Sequence, residues 1–187
     1  MHTDLRRAAF VEAADELFVK RGFANTGVGD IAQHVGVTRS LFYHYFKDKQ
    51  AITDAVIDKR VDAFMAYVQS WTESLKGPTI QDALVGLVDI VRAYLTGPES
   101  LGYRIVREQD ASLYHRFVVR SARLLSEYFV NSAGKSGALI EITNVRHPKE
   151  SFYVLALGIL NTLIEDPEVS DEVVADIMAD ALCIRME

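Results

Sequence analysis

Apolar residues recur along this chain at intervals of three and four, and the recurrence breaks at Gly and Pro. Residues 4–21 place Phe10, Ala13, Ala14, Leu17 and Phe18 on one helical face, and Gly22 ends that helix. The pattern then predicts a short helix over 28–35, a Gly36-Val37 turn and a second short helix from 38 or 39 to 46. A long helix follows over 48–76, with Ile52, Val56, Ala63, Phe64, Tyr67, Val68, Trp71 and Leu75 along one broad stripe. At about 1.5 Å per residue it spans roughly 40 Å, enough to join two regions of the molecule. Gly77-Pro78 stops it, and Thr79 caps a helix carrying Ile80, Leu84, Leu87, Val91 and Tyr94 that closes at Gly97-Pro98. A short helix near 100–108, a longer one over 112–130 and two last helices over 149–165 and 170–185 complete an all-α reading of nine helices. Between 131 and 147 the period is lost, and the stretch reads equally as a helical turn, a strand-like piece or a loop.

Composition agrees with a folded chain. With 187 residues, 49% of them hydrophobic, and a mean hydropathy of +0.07, there is enough apolar surface for a core. No apolar run reaches the roughly 18 residues of a membrane span. Acids every few positions in the first 18 residues lead us to expect no secretory or transit leader. The single cysteine, Cys183, has no intramolecular partner and is expected to be a small buried hydrophobe in a protein of the reducing cytoplasm. The net charge of -6 hides an asymmetry, because residues 1–50 hold seven Lys/Arg against six Asp/Glu, leaving -7 for the rest. The expectation is a small, comparatively basic head over 1–47 and an acidic body over 48–187.

Residues 28–46, VGDIAQHVGVTRSLFYHYF, carry the chemistry of the head. Ile31 and Val35 share a face one turn apart, and small Ala32 lets a second helix cross closely. Gly36 can take the left-handed conformation that ends the first helix, Val37 plugs the turn, and Thr38 caps the next. Phe42 with Tyr45 or Phe46 returns to the same core. Two short helices joined through a glycine turn form the helix-turn-helix pattern, whose second helix lies in the DNA major groove. The residues left facing outward are Arg39, Ser40, Tyr43 and His44, with Lys47 and Lys49 just beyond. An arginine at the start of that helix matches the O6/N7 acceptor pair of guanine, and the hydroxyl, imidazole and ammonium groups around it suit phosphate.

From Arg7 to Ile52 the chain resembles the DNA-binding domain of TetR-family transcriptional regulators, through the string AAFVEAADELFVKRGFANTGVGDIAQHVGVTRSLFYHYFKDKQAI. The carriers are Ala14, Leu17, Phe18, Gly22, Thr26, Val28, Ile31, Ala32, Gly36, Val37, Tyr43, Tyr45, Phe46, Lys49 and Ile52. The resemblance implies phosphate contacts at Thr26 and Gly27, where the family often carries a Thr/Ser pair and Gly27 lacks the hydroxyl. It implies base reading by Thr38, Arg39 and Ser40, phosphate contacts from Tyr43 and His44, and a matching lysine at Lys49. Many members have Gly or Pro near Ser40, and Phe42 stands where Leu is usual.

For the body the resemblance implies ligand binding and dimerisation. Residues 151–164, SFYVLALGILNTLI, are apolar nearly all round, so that helix is buried on more than one side. Together with the last helix they predict an intersubunit four-helix bundle through Leu155, Gly158, Ile159, Thr162, Val174, Ile177, Met178 and Ala181. Inward aromatics between the long helix and the eighth are the candidate pocket: Phe64, Tyr67, Trp71, Tyr94, Tyr103 and Phe117. Arg107, beside Arg104, is a candidate partner for an anionic effector, whereas Arg116, Arg120 and Arg123 are expected in solvent.

Other function classes find little support. The five histidines are scattered without a paired metal-ligand spacing, and no GxSxG, Walker or GxGxxG string sits in a fitting context. No cofactor, metal, catalytic residue or membrane is therefore expected. The sequence reading is a homodimeric repressor that binds a palindromic double-stranded DNA operator and is released by a small-molecule effector.

Overall fold

The computed structural model describes residues 2–75, 79–97, 103, 111–131 and 145–184. Among these residues the protein is all-helical, with eight α-helices and no strand. They are α1 (His2–Arg21), α2 (Val28–Val35), α3 (Arg39–Tyr45), α4 (Lys49–Ser74), α5 (Ile80–Thr96), α6 (Ala111–Asn131), α7 (Pro148–Glu165) and α8 (Asp171–Ala181). The short helix expected near 100–108, with Arg104 and Arg107, and most of the irregular stretch after 131 lie outside the described residues.

Local chemistry sets the boundaries. Gly22 and Gly36 adopt φ of 86° and 76°, the left-handed conformation that costs glycine no Cβ clash. Thr38 caps α3, its Oγ1 accepting from Leu41 N at 3.3 Å, and Asp48 caps α4 through Ala51 N at 2.7 Å. Thr79 and Asp82 form a reciprocal box at the start of α5. Ser170 caps α8 through Val173 N at 3.3 Å.

The core is continuous, and α4 runs through both of its parts. At the head end, Ile52 and Val56 of α4 are buried with Phe10, Phe18, Ile31 and Phe42. The Phe10 ring meets Phe42 edge-on at 5.5 Å, and Phe18 stacks on Phe23 at 4.3 Å. Further along, Phe64 and Val68 are buried with Leu84, Leu95 and Phe117 in the body. One helix of 26 residues thus joins two cores with no intervening linker.

A buried carboxylate locks this joint. The Asp15 side chain on α1 is 6% exposed and accepts from Lys59 Nζ at 2.9 Å and from Arg60 Nε at 2.8 Å, both on α4. Lys59 also pairs with Glu12. Burial alone would lower the Lys59 ammonium, but its bonds to Glu12 and Asp15 outweigh that and hold it above the usual 10.5. Arg92 makes a comparable clamp in the body, its Nε donating to Asp171 Oδ1 at 2.7 Å and its guanidinium also reaching the Val169 carbonyl.

Four sequence expectations need correction here. Arg116 does not stand in solvent: it is half-buried and pairs with Asp54, while Arg120 and Arg123 are exposed as expected, Arg120 pairing with Asp58 at 2.6 Å, and the two pairs tie α6 to α4. Val174 and Met178 face the chain's own core, at 2% and 7% exposure, so they leave the dimer list. Tyr67 is 59% exposed and lines no interior pocket. Cys183 is exposed, not buried, in a left-handed turn with φ 54°.

Candidate nucleic-acid interface

α3 is two-faced because its apolar positions are four apart. Phe42 and Phe46 are buried and contact each other at 5.6 Å, which fixes the rotation of the helix against Phe10. Arg7 lies over the Phe46 ring at 4.9 Å. That rotation turns Arg39, Ser40, Tyr43 and His44 outward together, and Tyr43 is 53% exposed. Thr38, also exposed, spends a lone pair on its cap but keeps its O–H as a donor. The patch therefore offers one guanidinium, one imidazole and several hydroxyl donors from a single helical turn and a half.

Arg39 is braced from behind. A methyl group at Gly29 of α2 would sit 3.3 Å from its Nε and 3.5 Å from its Cζ, so the guanidinium arm lies directly over that glycine. Glycine here is a matter of space, and the pattern of apolar positions gave no hint of it. Gly27 opens α2, and its N–H donates to Asp30 Oδ2 at 2.7 Å, while the acid in that first turn also favours the helix dipole.

Two expected phosphate ligands are otherwise engaged. Thr26 is fully buried, and its hydroxyl donates to carbonyls at the end of α1, Gly22 O at 2.8 Å and Leu17 O at 3.4 Å. It closes the α1–α2 turn and does not reach the surface, a correction to the expectation at that position. Lys49 is half-buried, and its ammonium donates to the Phe23 carbonyl, bracing the same turn. Lys47, at 87% side-chain exposure, is a solvated cation at this end of α4, 3.7 Å from the Asp48 carboxylate.

In the body, three of the expected pocket aromatics, Phe64, Tyr94 and Phe117, pack in one stack. Tyr94 stacks on Phe64 at 4.0 Å and lies 5.8 Å from Phe117. Burial raises the Tyr94 hydroxyl above its usual 10.0, which the nearby Ser121 offsets only in part. Neither hydroxyl meets a partner in hydrogen-bond geometry among the described residues. Trp71 packs on Gly86 of α5, where a methyl group would come within 2.8 Å of its ring, and Tyr103 is half-buried. A small apolar pocket of about 40 Å³, partly open at the surface, lies between α5, α6, α7 and α8, lined by Val91, Leu125, Phe129, Phe152, Ile159 and neighbours. Leu155 and Ile159, expected at a dimer interface, are half-buried and line this pocket. Gly158, Thr162, Ile177 and Ala181 are exposed, as an interface would require.

Two short helices joined at a left-handed glycine, with a polar patch on the outward face of the second, form a helix-turn-helix of the kind that places its second helix in DNA. Comparison with known proteins narrows the class. Residues 10–56 match the family model described as bacterial regulatory proteins, tetR family. The chain is 33% identical over 109 residues to the HTH-type transcriptional activator FasR of Mycolicibacterium smegmatis, covering 57% of this chain and 48% of FasR. The match thus spans about half the length of that relative. In fold, the chain is similar to RolR in complex with resorcinol, with a TM-score of 0.71 at 15% identity over 98% of this chain and 90% of that one. It is also similar to the transcriptional repressor QsdR of R. erythropolis, with a TM-score of 0.67 at 15% identity over 98% and 97% of the two chains. Residues 10–56 thus carry a helix-turn-helix head similar to that of the tetR family of bacterial regulatory proteins, and the whole chain shares the all-helical fold of the solved structures above. Among the described residues no helix is long and apolar enough to cross a membrane.

Proposed function

We propose that the protein acts as a homodimeric repressor in the cytoplasm, occupying a palindromic operator until a small molecule enters the body. The observation that carries the reading is the division of α3, with Phe42 and Phe46 locked inward and Arg39, Ser40, Tyr43 and His44 turned outward together. Arg39 reads a guanine. Thr38, Tyr43, His44 and Lys47 hold phosphate, and Lys49 shapes the turn that presents them. Reading two half-sites requires two heads roughly 34 Å apart, hence a two-fold dimer. Exposed apolar stripes on adjacent helices support it: Val154, Gly158 and Thr162 on α7, and Val173, Ile177 and Ala181 on α8.

The effector site in this reading is the apolar pocket above the Tyr94 layer. Its about 40 Å³ holds no more than a water or two, so a ligand must spread α6 and α7 to enter. The layer below passes that displacement to Phe64 on α4, whose neighbour Arg60 grips Asp15 of the head. An effector needs to prefer the DNA-incompetent state by only a few kcal/mol to change occupancy.

The test is selection of bound fragments from a random DNA pool at two salt concentrations, with Arg39→Ala alongside. The wild type should recover a palindrome with affinity falling steeply as salt rises, and the variant should lose preference at one base position per half-site. No enrichment at the lower salt would overturn the reading.

A further inference from the structure

The charged faces of α4 and α6 meet in an open cleft of about 430 Å³, lined by Asp54, Ile57 and Asp58 on one side and His115, Arg116, Val119, Arg120 and Arg123 on the other. We propose that this cleft binds a small multivalent anion, a phosphate ester or a di- or tricarboxylate, separately from the apolar pocket.

Three observations carry the assignment. First, the cleft holds three guanidiniums against two carboxylates, a positive balance in a chain whose net charge is -6. Second, Arg123 is exposed and has no acidic partner among the described residues, one turn beyond Arg120 on the same wall, with His115 exposed at the other end. Third, the Arg120 pair is of the kind that yields readily. The Arg120 and Asp58 side chains are 43% and 42% exposed, so that pair is solvated and weak, whereas Arg116, 23% exposed, is held more firmly against Asp54. A guanidinium has five N–H donors, and a carboxylate partner occupies no more than two, leaving donors for a bidentate anion bridging Arg120 and Arg123. The volume lies within the range of small-molecule sites.

Binding has a mechanical consequence. An anion that captures Arg120 releases Asp58, the residue beside Lys59 and two before Arg60, the pair that grips Asp15 on α1. α6 would then hold α4 less firmly at the joint between head and body. The consequence for DNA rests on the reading given under Proposed function; the binding itself does not.

The experiment is calorimetric titration of the DNA-free full chain with pyrophosphate and, separately, citrate, each at ionic strength balanced with chloride. Saturable binding of pyrophosphate alone assigns phosphoryl chemistry, and of citrate alone polycarboxylate chemistry. Arg123→Gln, which disturbs no ion pair among the described residues, should weaken the bound probe up to about fivefold. Asp58→Asn should tighten it by a similar factor, because a competing carboxylate is gone. A merely structural role for the pairs predicts no gain in affinity from Asp58→Asn. No saturable heat with either probe, or an Asp58→Asn variant that binds no more tightly than wild type, would overturn the proposal. So would an Arg123→Gln variant that binds DNA more weakly with no probe present, since that would place the arginine on the DNA face.

Discussion

Gly29→Ala separates folding from reading in a way few substitutions can. The new methyl would stand 3.3 Å from Arg39 Nε and 3.5 Å from Cζ, so the guanidinium must move aside by a few tenths of an ångström. The obstacle is the flexible end of a long side chain, so the fold itself yields at little cost. Meanwhile α2 exchanges a glycine for the best helix former, a gain of up to about 1 kcal/mol, less near the first turn where this residue sits. Stability should therefore be unchanged or slightly higher. DNA binding should move the other way, because a bidentate arginine–guanine pair worth about 1–3 kcal/mol of discrimination depends on alignment within tenths of an ångström. Losing half of that pair is roughly a three- to tenfold fall in affinity for the selected site with little change for random DNA. Urea denaturation gives the first quantity and fluorescence anisotropy on matched and scrambled duplexes gives the second. A clear loss of stability, or full sequence preference retained, would refute the idea that Gly29 positions Arg39.

Thr26→Val should cost about 1–2 kcal/mol in denaturation, since carbonyls at the end of α1 lose their buried donor, and a variant of wild-type stability with weaker DNA binding would instead restore Thr26 to the phosphate face. Asp15→Asn should lower stability by about 1–3 kcal/mol, discounted because Lys59 and Arg60 are each 34% exposed; a change within 0.5 kcal/mol, the usual spread of surface substitutions, would mean the clamp is idle. Ile177→Glu should shift the protein toward monomer in sedimentation while leaving its helical circular dichroism intact, and an unchanged sedimentation coefficient would move the interface off α8.

What was legible in the sequence followed from how local its causes are. The bounds of α2 and α3 depend on Gly36, Thr38 and a four-residue apolar spacing, all readable within a few positions. Arg39, Ser40, Tyr43 and His44 were therefore placed outward by elimination. Thr26 could not be placed that way, because a threonine beside a helix start looks the same whether its hydroxyl faces a phosphate or a carbonyl nine residues back. The last helix shows the same limit on a larger scale. Val173, Val174, Ile177 and Met178 form one wide apolar stripe, and only packing against α5 decides that 174 and 178 turn inward while 173 and 177 remain outside. The ion pairs of Asp15, Asp54 and Asp58 were invisible because their partners lie 44 or more residues away and each half reads as an ordinary solvated charge.

The sharing of α4 between two cores also sets the rules for exchanging parts. The predicted boundary after residue 47 falls at a turn, but a head cut there would lose Ile52 and Val56 from its core and leave Asp15 buried without either cation. A chimera that transplants this helix-turn-helix head onto another body should carry α4 through Arg60, about three turns past its cap. The seam then falls where the helix is exposed at Asp62 and Ala63, so the recipient's body need supply only the remaining helix surface.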